Sequence, residues 1–381
     1  NSIIIENPYF PKIDLIKIFT KIGQIPAFFS NTFNYKKNTT LSVRSDLRNI
    51  DLKNLGYRDK FIKFLLDYIF DDLPMVFVED YENINKKNDK FNSLKKKLII
   101  ATTCHVFNER FKFWMAKMHE KGSKIQIISH GGFLPTDIHG FFHDEVIADK
   151  YLAWNKLITK NSKCLPPVQL RRYKNYSNQF KENCLIIEAS VLPYAVKCQA
   201  WPYAENYKNF YNTSENFIKK LKSKIKQKVV YRIVERDDGF SLGKKIKSKF
   251  NYLKISTPEK ERLVDSFKRT KIIICKYPET PTSEAFFSDI PLVIILPKNT
   301  FSQFFKYKNI IQDLKKNKIL FDNSTEAAKH VNKIWENIDQ WWQDSEIVKC
   351  RNRIKKTLVN LDDDWLGIWS KHIRRSVAYG S

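Results

Sequence analysis

The sequence predicts an α/β protein that consists of two Rossmann-like domains. Its 381 residues exceed the usual limit for one hydrophobic core, so two domains are expected. Short runs of Ile, Leu and Val alternate along the chain with segments of helical periodicity, which is typical of βαβ units with parallel sheets. The clearest such unit is 271–297, where two apolar runs flank a short helix.

The elements of a first domain are predicted before residue 155. A helix at 58–70 would carry Phe61, Phe64, Leu65 and Tyr68 on one face. A second helix is expected at 108–120, and strands are expected at 73–78, 98–103, 124–128 and within 146–154. Because ligands of open parallel sheets bind at the carboxyl ends of the strands, the polar residues that follow these strands are site candidates.

A second series of elements follows 155–183, a stretch rich in Lys, Arg, Asn and Tyr that we expect to be a linker or surface loop. Its strands are expected at 184–187, at 229–234 and in the unit 271–297, and its helices at 204–226, 327–342 and 345–358. The chain therefore contains enough strands for two separate sheets.

The composition limits the possible partners. A net charge of +26 indicates a polyanionic partner, but charge alone does not separate nucleic acid, an anionic membrane and an anionic sugar. No run of about 18 uncharged apolar residues and no signal peptide is recognisable, so no membrane span is expected. The six cysteines are widely spaced without a C-x-x-C pair, which argues against a zinc knuckle or disulfides and favours a reducing cytoplasm.

A phosphate site is predicted in the elbow between the two apolar runs of 271–297. Thr280, Thr282 and Ser283 precede a helix expected from Glu284, and these four residues are candidates for binding the nucleotide donor. A helix amino terminus has unpaired N–H groups and a positive dipole end that favour a phosphate. An ordinary capped loop is the alternative. Arg232, at the end of strand 229–234, is the expected phosphate partner, and a structural pair with Glu284 is its alternative.

Several motifs resemble those of a transferase family. Residues 129–132 (Ser-His-Gly-Gly), 143–145 and 148–154 look like the His-Gly-Gly and Asp-x-Tyr-Leu-x-Trp blocks of a family encoded in the surface-carbohydrate and O-antigen loci of bacteria such as leptospires. Similar segments are 108–114, 277–291 and 321–342, so the resemblance spans roughly 70–355. More distantly, 78–81 resembles the Glu-Asp-Gly-Phe element of retaining β-Kdo transferases of capsule assembly.

The resemblance implies a glycosyltransferase that uses a nucleotide-activated sugar, with CMP-Kdo or a related ulosonic acid favoured, to build a bacterial surface polysaccharide such as O-antigen, lipopolysaccharide or capsule. Two Rossmann-like domains facing an interdomain cleft are the GT-B-like architecture, an analogy at the level of fold. The expected domains are 1–180 on the acceptor or catalytic side, 181–345 for the nucleotide sugar and 346–381 as a helical, basic tail.

Glycosyl transfer requires carboxylates and an acid or cation at the leaving group. Asp80 is the first candidate for nucleophile or base and Glu79 the second, since neighbouring residues at a strand end diverge; capping of a turn is the alternative. His130, before two glycines, is a candidate acid or anion donor, or else part of a tight turn. Glu109 and Glu145 are the next carboxylate candidates.

Neither a metal nor a tightly bound cofactor is expected. The only candidate metal cluster is His139, His143, Asp144 and Glu145, whose spacing matches no common metal site. The expected partners are the nucleotide sugar, a glycan or lipid-linked acceptor and an anionic membrane surface. Cytoplasmic localisation, peripheral on the inner face of the plasma membrane, would follow. The basic, Trp-bearing C-terminal residues are candidates for that surface: Trp365, Trp369, Lys371, Arg374 and Arg375.

Two alternatives remain. Glu235 stands where related transferases usually have the Pro of a His-Pro or Tyr-Pro pair, and Glu279 stands where they usually have a hydroxyl residue. A glutamate that faces a phosphate is repulsive, so a catalytically weak nucleotide-sugar or glycan-binding relative is one alternative. A basic nucleic-acid-binding protein is the other. It is disfavoured because the basic residues are dispersed and no recognisable nucleic-acid-binding module is present.

Overall fold

The computed structural model describes residues 2–25, 33, 41–48, 59–92, 96–131, 142–154, 160–173, 181–188, 207–233, 241–276, 280–297 and 308–378. The chain divides into two compact units. Unit 1 comprises Asn1–His130, Ile147–Leu152 and Leu366–Ser381, and unit 2 comprises Gly131–Val146 and Ala153–Trp365. The domain boundaries proposed at residues 180 and 345 stay predictions.

The first sheet has the strand order β1-β2-β3-β4-β5. Its strands are β1 (Ile3–Glu6), β2 (Leu98–Ala101), β3 (Lys124–Ile128), β4 (Lys150–Ala153) and β5 (Ser162–Cys164). The first four pair in parallel, so their carboxyl ends share one edge of the sheet. The strands predicted within 98–103, 124–128 and 146–154 are thereby confirmed.

The strand predicted at 73–78 is wrong. Pro74 precedes a single 3₁₀ turn, Met75–Phe77, and no described residue of this segment joins a sheet. The short apolar run Ile3–Glu6 pairs with β2 instead, in the register Ile4 opposite Ile99. A proline lacks the backbone donor that a strand needs in the interior of a sheet. Pro74 therefore disfavours a strand at this point, although the residues that follow it are rich in Val and Phe.

The described helices of the first 150 residues lie between the strands of the first sheet in the chain order. They are α1 (Lys12–Ile22), α2 (Ser45–Arg48), α3 (Lys60–Asp72), α4 (Tyr81–Asn92), α5 (Cys104–Phe107), α6 (Glu109–Glu120) and α7 (Phe142–Ile147). The helices predicted at 58–70 and 108–120 are confirmed by α3 and α6. The apolar face of α3 is exposed, however, whereas α6 buries Phe111 and Trp114.

The second sheet has the strand order β11-β10-β9-β6-β7-β8, and neighbouring strands pair in parallel. Its strands are β6 (Asn183–Ile187), β7 (Val229–Arg232), β8 (Lys254–Ser256), β9 (Thr270–Cys275), β10 (Leu292–Ile295) and β11 (Leu320–Phe321). The chain builds outwards from β6 to β8, returns to the other side of β6 and builds outwards again. This is the Rossmann order, and its topological switch point lies between β6 and β9.

Both faces of the second sheet are covered. Ile273 and Cys275 of β9 belong to the core on one face, and Ile272 and Ile274 belong to the core on the other. The continuous apolar runs of the sequence are explained by this double burial. The strands predicted at 184–187, at 229–234 and on either side of the elbow are confirmed by β6, β7, β9 and β10.

The helices of unit 2 are α8 (Tyr207–Lys220), α9 (Ser223–Lys226), α10 (Leu242–Lys249), α11 (Leu263–Ser266), α12 (Thr280–Phe287), α13 (Lys308–Lys316), α14 (Ser324–Ile334), α15 (Ile338–Trp342) and α16 (Ser345–Leu358). The helix predicted at 345–358 is confirmed by α16. The helix predicted at 204–226 divides into α8 and α9, and that at 327–342 divides into α14 and α15. Within the described residues, no helix is long and apolar enough to span a membrane.

The last helix, α17 (Trp365–Ala378), returns to unit 1. Its His372 ring nitrogen Nε2 lies 2.8 Å from the side-chain oxygen of Gln126 in β3, and the Gln126 amide donates to Ser376 at 2.9 Å. Trp369 packs edge-on against Phe10 at 5.1 Å. The C-terminal residues therefore form part of the unit that contains the start of the chain.

Candidate functional site

A buried ion pair lies at the switch point of the second sheet. Glu188 directly follows β6 and Lys276 directly follows β9, and their paired side chains are each only 1% exposed. The Lys276 ammonium also donates to the hydroxyl of Ser214 and, at 3.3 Å, to the carbonyl of Phe210. Ser214 donates to Glu188 at 3.2 Å and accepts from Tyr231 at 3.2 Å. Burial lowers the pKa of Lys276, and Glu188 partly offsets this effect.

This pair was not among the predicted site residues. The sequence did contain a signal, because each residue is the first charged one after an apolar strand, at 184–187 and 272–275. Their partnership depends on β6 lying beside β9, which became visible only with the sheet order. The pair fixes the ends of the two strands between which an open α/β sheet binds its ligand.

Helix α12 begins at Thr280, four residues before the predicted start at Glu284. Of the three hydroxyl residues proposed to contact phosphate, Thr282 and Ser283 are buried, at 0% and 1% exposure, and Thr280 is half-buried. The Thr282 hydroxyl is hydrogen-bonded to the thiol of Cys275 at the end of β9. The predicted phosphate contacts of these residues stay predictions, and Thr280 is the least buried of the three.

Gly131 approaches the start of α12 within unit 2. A Cβ atom added at Gly131 would lie 1.9 Å from the hydroxyl oxygen of Thr280, much closer than any real contact. Only glycine allows the backbone to come this near. The Gly-Gly motif therefore has a packing reason at its first position, and its second glycine, Gly132, lies outside the described residues.

Arg232 ends β7 and is almost completely buried. Its guanidinium donates to the hydroxyls of Ser256 at 2.8 Å and Ser266 at 3.3 Å and to the carbonyl of Glu261 at 2.8 Å. Burial lowers the pKa of Arg232, while nearby carboxylates raise it. The side chain is held in one orientation at the carboxyl edge of the sheet, and its role as a phosphate partner stays a prediction.

The expected alternative partner of Arg232 pairs with another arginine. Glu284 accepts from Arg172 at 3.0 Å. Burial raises the pKa of Glu284, an effect opposed by its hydrogen bond from Tyr173 and by Arg172. Glu284 thus joins α12 to the 3₁₀ segment Val168–Tyr173, so its predicted contact with the donor would require a change of partners.

The carboxyl edge of the first sheet carries a buried carboxylate that the sequence analysis missed. Glu6 is the last residue of β1 and lies opposite Ala101 of β2. Burial raises the pKa of Glu6 to about 7. Two residues after it have positive φ angles without being glycine, namely Asn7 at 46° and Tyr9 at 57°. Glu6 was missed because the first 58 residues lacked a recognisable strand pattern.

Glu79 does not end a strand, contrary to the prediction. Its carboxylate receives two bonds from Arg48, at 2.7 and 2.8 Å, and both side chains are shielded from solvent. Arg48 also donates to the carbonyls of Asp71 and Leu73, each at 3.0 Å. Hydrogen bonding to Arg48 lowers the pKa of Glu79 to about 2. This arrangement joins α2 to the end of α3.

Asp80 is fully buried just before α4, and it accepts from the Asn83 amide at 2.7 Å. This bond joins two side chains, so the capping of a turn, which was the alternative interpretation, stays a prediction. Both residues were assigned to a strand end that does not exist, so the geometric reason for choosing them is wrong. Their catalytic role stays a prediction, now without support from their position.

The remaining candidates of the first domain lie in three different surroundings. His130 is exposed two residues after β3. Glu145 is half-buried in α7, and its backbone carbonyl accepts from Asn161 at 3.2 Å. Glu109 pairs with Lys112 at 2.7 Å. Among the described residues, no three His, Cys, Asp or Glu side chains are placed to hold a metal.

Some predictions fall outside the described residues or are wrong. His139, Glu235 and Glu279 lie outside the described part of the chain. Trp365 and Trp369, proposed to meet a membrane surface, are buried at 4% and 1% exposure, so this assignment is wrong. The ring of Trp365 instead stacks under the guanidinium of Arg171 at 4.6 Å.

Two parallel sheets with helices, one of them in Rossmann order, define an α/β protein of two Rossmann-like units, and the predicted fold class is confirmed in this respect. A family model assigns the chain further. It belongs to the LIC12162 family of transferases, whose model matches residues 1–373. The predicted membership of a transferase family is therefore confirmed.

Several solved structures have some similarity to the chain. TarM is 13% identical over 75% of this chain and 57% of its own, with a TM-score of 0.41. The wall teichoic acid polymerase TagF is 9% identical over 78% of this chain and 84% of its own, with a TM-score of 0.43. The spinosyn forosaminyltransferase SpnP is 9% identical over 78% and 79%, with a TM-score of 0.41.

The chain spans less than two thirds of the length of TarM. No curated protein matches it. The class of protein therefore rests on the family assignment and on the architecture of the two sheets.

Proposed function

We propose that this protein is a glycosyltransferase that transfers a sugar from a nucleotide-activated donor to a growing bacterial surface polysaccharide. Membership of a transferase family supports group transfer as the reaction class. The observation that carries the proposal is the Rossmann-ordered second sheet, whose switch point is flanked by Glu188 and Lys276. Open α/β sheets bind nucleotides at this position.

The donor is proposed to lie over the carboxyl edge of the second sheet, with its phosphate near Arg232 and Thr280. The guanidinium of Arg232 uses three of its donors on protein acceptors, which pre-orients the group for an anion. The amino terminus of α12 adds the positive end of a helix dipole. Thr282, Ser283 and Glu284 would support this turn from within the core.

The preferred donor is a CMP-linked ulosonic acid such as Kdo. The support is the resemblance of residues 78–81 to retaining β-Kdo transferases. A glycan or a lipid-linked glycan would be the acceptor. The first unit would supply the acid–base groups, with His130 exposed at the carboxyl edge of its sheet.

A thermal-shift panel of CMP-, UDP-, GDP- and dTDP-linked sugars tests the proposal, since a ligand that binds the folded protein raises its unfolding temperature by mass action. One nucleotide, CMP in the preferred case, should stabilise the protein, and Arg232→Ala should weaken its binding by about 1.5–3 kcal/mol. Arg353→Ala is the matched control, because Arg353 forms an exposed pair with Asp313. Absence of stabilisation by every nucleotide, or equal affinity in a folded Arg232→Ala protein, would contradict the assignment.

The same panel, combined with an assay of sugar transfer, distinguishes an active glycosyltransferase from a catalytically weak relative. A catalytically weak relative would bind a nucleotide sugar without transferring the sugar. Donor binding together with product formation on a glycan or lipid-linked acceptor supports the enzyme, and binding alone supports the weak relative.

Peripheral association with an anionic bilayer is also proposed, through α3 rather than the C-terminal tryptophans. Phe61, Phe64 and Tyr68 of this helix are 67%, 56% and 54% exposed. An apolar helix face on a chain of net charge +26 fits a surface that has both acyl chains and anionic headgroups.

Co-sedimentation with liposomes tests this association. The variant Phe61→Ser/Phe64→Ser should bind anionic liposomes more weakly than the wild type, and Tyr252→Ser, an exposed aromatic of unit 2, should bind equally well. Wild-type binding that is indifferent to anionic lipid and to salt would exclude the bilayer as the partner of α3.

A further inference from the structure

We infer that Glu6 is the general base of the transfer reaction, the group that removes the proton from the acceptor hydroxyl. The inference rests on the proposed function and adds a residue that the sequence analysis did not consider. It depends on where Glu6 lies, on how the chain around it is held and on its lack of a partner among the described residues.

Glu6 occupies the ligand-binding edge of the first sheet. It ends β1 opposite Ala101, and Ala101 lies opposite Ile127 of β3. The residues that follow β2 and β3 therefore leave the sheet at the same edge, and these include Thr103 and His130. Since neighbouring strands are about 4.8 Å apart, the ends of β1 and β3 are separated by about 10 Å, with the end of β2 between them.

The backbone after Glu6 is strained and anchored. Asn7 and Tyr9 both have φ angles in the left-handed region, which costs a non-glycine residue energy. Their side chains converge on the hydroxyl of Thr103, Asn7 at 3.4 Å and Tyr9 at 3.1 Å. Strain of this kind is kept where it positions a functional group, and here it fixes the turn that directly follows the carboxylate.

Among the described residues, Glu6 differs from the other buried carboxylates named above because no partner of its side chain is seen there. Within the described part of the chain, its carboxylate makes no hydrogen bond or ion pair, although the residue is only 7% exposed. By contrast, Glu79, Glu188 and Glu284 are paired with Arg48, Lys276 and Arg172. A carboxylate that no described cation occupies is available to act as a base.

The acid–base properties of Glu6 suit the role. Burial raises its pKa to about 7, where a base is both available and strong enough to accept a proton near neutral pH. The titratable groups of the adjoining segments are the thiol of Cys104, the phenol of Tyr9 and His105. The pKa of Cys104 is raised to about 12, mainly by burial and also by Glu6, so the thiol stays neutral.

The step is a single displacement that inverts the anomeric carbon, and the resemblance of residues 78–81 to retaining enzymes concerns the donor alone. The acceptor oxygen forms a bond to the anomeric carbon of the donor while its proton passes to a carboxylate oxygen of Glu6. The bond from that carbon to the phosphate oxygen breaks, and its electron pair leaves with the nucleotide. Glu6 then releases the proton to solvent. Glu79 is a poorer base, since Arg48 occupies its carboxylate and lowers its pKa to about 2.

The test compares Glu6→Gln, Glu6→Asp and the surface control Glu120→Gln across pH 5.5 to 9. In the wild type, kcat/KM should fall below about pH 7 with the slope of a single group. In Glu6→Gln it should fall by about 100-fold or more at pH 8 and lose this acid limb, because general base catalysis contributes about 10²–10⁴-fold. Glu6→Asp should retain the limb with a lower rate, and Glu120→Gln should match the wild type.

Measuring the affinity for the donor distinguishes a failure of the inference about Glu6 from a failure of the proposed function. Glu6→Gln should bind the nucleotide sugar as the wild type does, since the loss falls on the transition state. An unchanged acid limb and rate in Glu6→Gln would overturn the inference and leave the proposed function intact. A wild type that binds the donor but transfers nothing would overturn the transferase reaction itself, and the inference with it.

Discussion

Replacing Lys276 with Met should strongly destabilise the protein. Methionine has nearly the same length and no charge, so the change removes the ammonium while keeping most of the packing. It leaves the carboxylate of Glu188 in a site that is 1% exposed, without its cation. Ser214 also loses a donor, although it keeps its bond from Tyr231 at 3.2 Å.

Burial sets the size of the expected effect. Breaking a buried ion pair by removing one partner costs about 3–5 kcal/mol, because the remaining charge is desolvated and uncompensated. Removing both charges, as in Lys276→Met/Glu188→Leu, should return the free energy of unfolding to within about 1–2 kcal/mol of the wild type, since the cost of desolvating the pair disappears as well. The two substitutions should thus be far from additive.

Urea denaturation of the wild type, both single variants and the double variant measures this coupling. Lys181→Met is the matched control, because Lys181 pairs with Asp339 at 2.8 Å while the two side chains are 44% and 57% exposed. Its cost should be below about 1 kcal/mol. If Lys276→Met is no more harmful than Lys181→Met, the pair at the switch point does not stabilise the fold as argued.

Two further predictions concern other parts of the site. Because the pKa of Glu6 is about 7 in the folded protein against 4.5 in the unfolded chain, its contribution to stability is fully present below pH 4.5 and is lost as the pH rises through 7. The free energy of unfolding should decrease by about 3 kcal/mol over this range. Urea denaturation at pH 5 and pH 8 should show this decrease in the wild type but not in Glu6→Gln. If the free energy of unfolding changes equally between the two pH values in both proteins, the pKa of Glu6 is not raised. Gly131→Ala should lower stability by about 1–3 kcal/mol through overlap with the Thr280 hydroxyl, and Thr280→Ala should partly relieve that loss in the double variant. Thermal unfolding measures both, and an unchanged midpoint for Gly131→Ala would contradict the close approach.

The second sheet could be predicted from the sequence because its strands are covered on both faces. Ile272, Ile273 and Ile274 point alternately into two cores, so the run is apolar throughout and easily recognised. The first strand of the chain offered only Ile3–Glu6, which is too short to distinguish from a buried loop. The Val/Phe-rich segment after Pro74 had the composition of a strand, but it forms a single 3₁₀ turn.

The candidate site was partly predictable for a related reason. Arg232 lies at the end of one recognisable strand and Thr280 follows another, so their position at a sheet edge could be inferred from chain order alone. The ion pairs between side chains could not be predicted from the sequence. Glu188 with Lys276 depends on which strands are neighbours, and Glu79 with Arg48 depends on the packing of two helices that are distant in sequence. Such contacts are properties of the tertiary fold, and no local pattern encodes them.

The return of α17 to unit 1 affects the order in which the protein can be completed during synthesis. Gln126 of β3 is made early, but its two partners on α17, His372 and Ser376, are made last. The contacts of Gln126 with His372 and Ser376 in unit 1 can therefore form only after unit 2 has been synthesised. No single cut in the chain separates the two units. A fragment that ends before Trp365 would lack α17 and would therefore leave unit 1 incomplete.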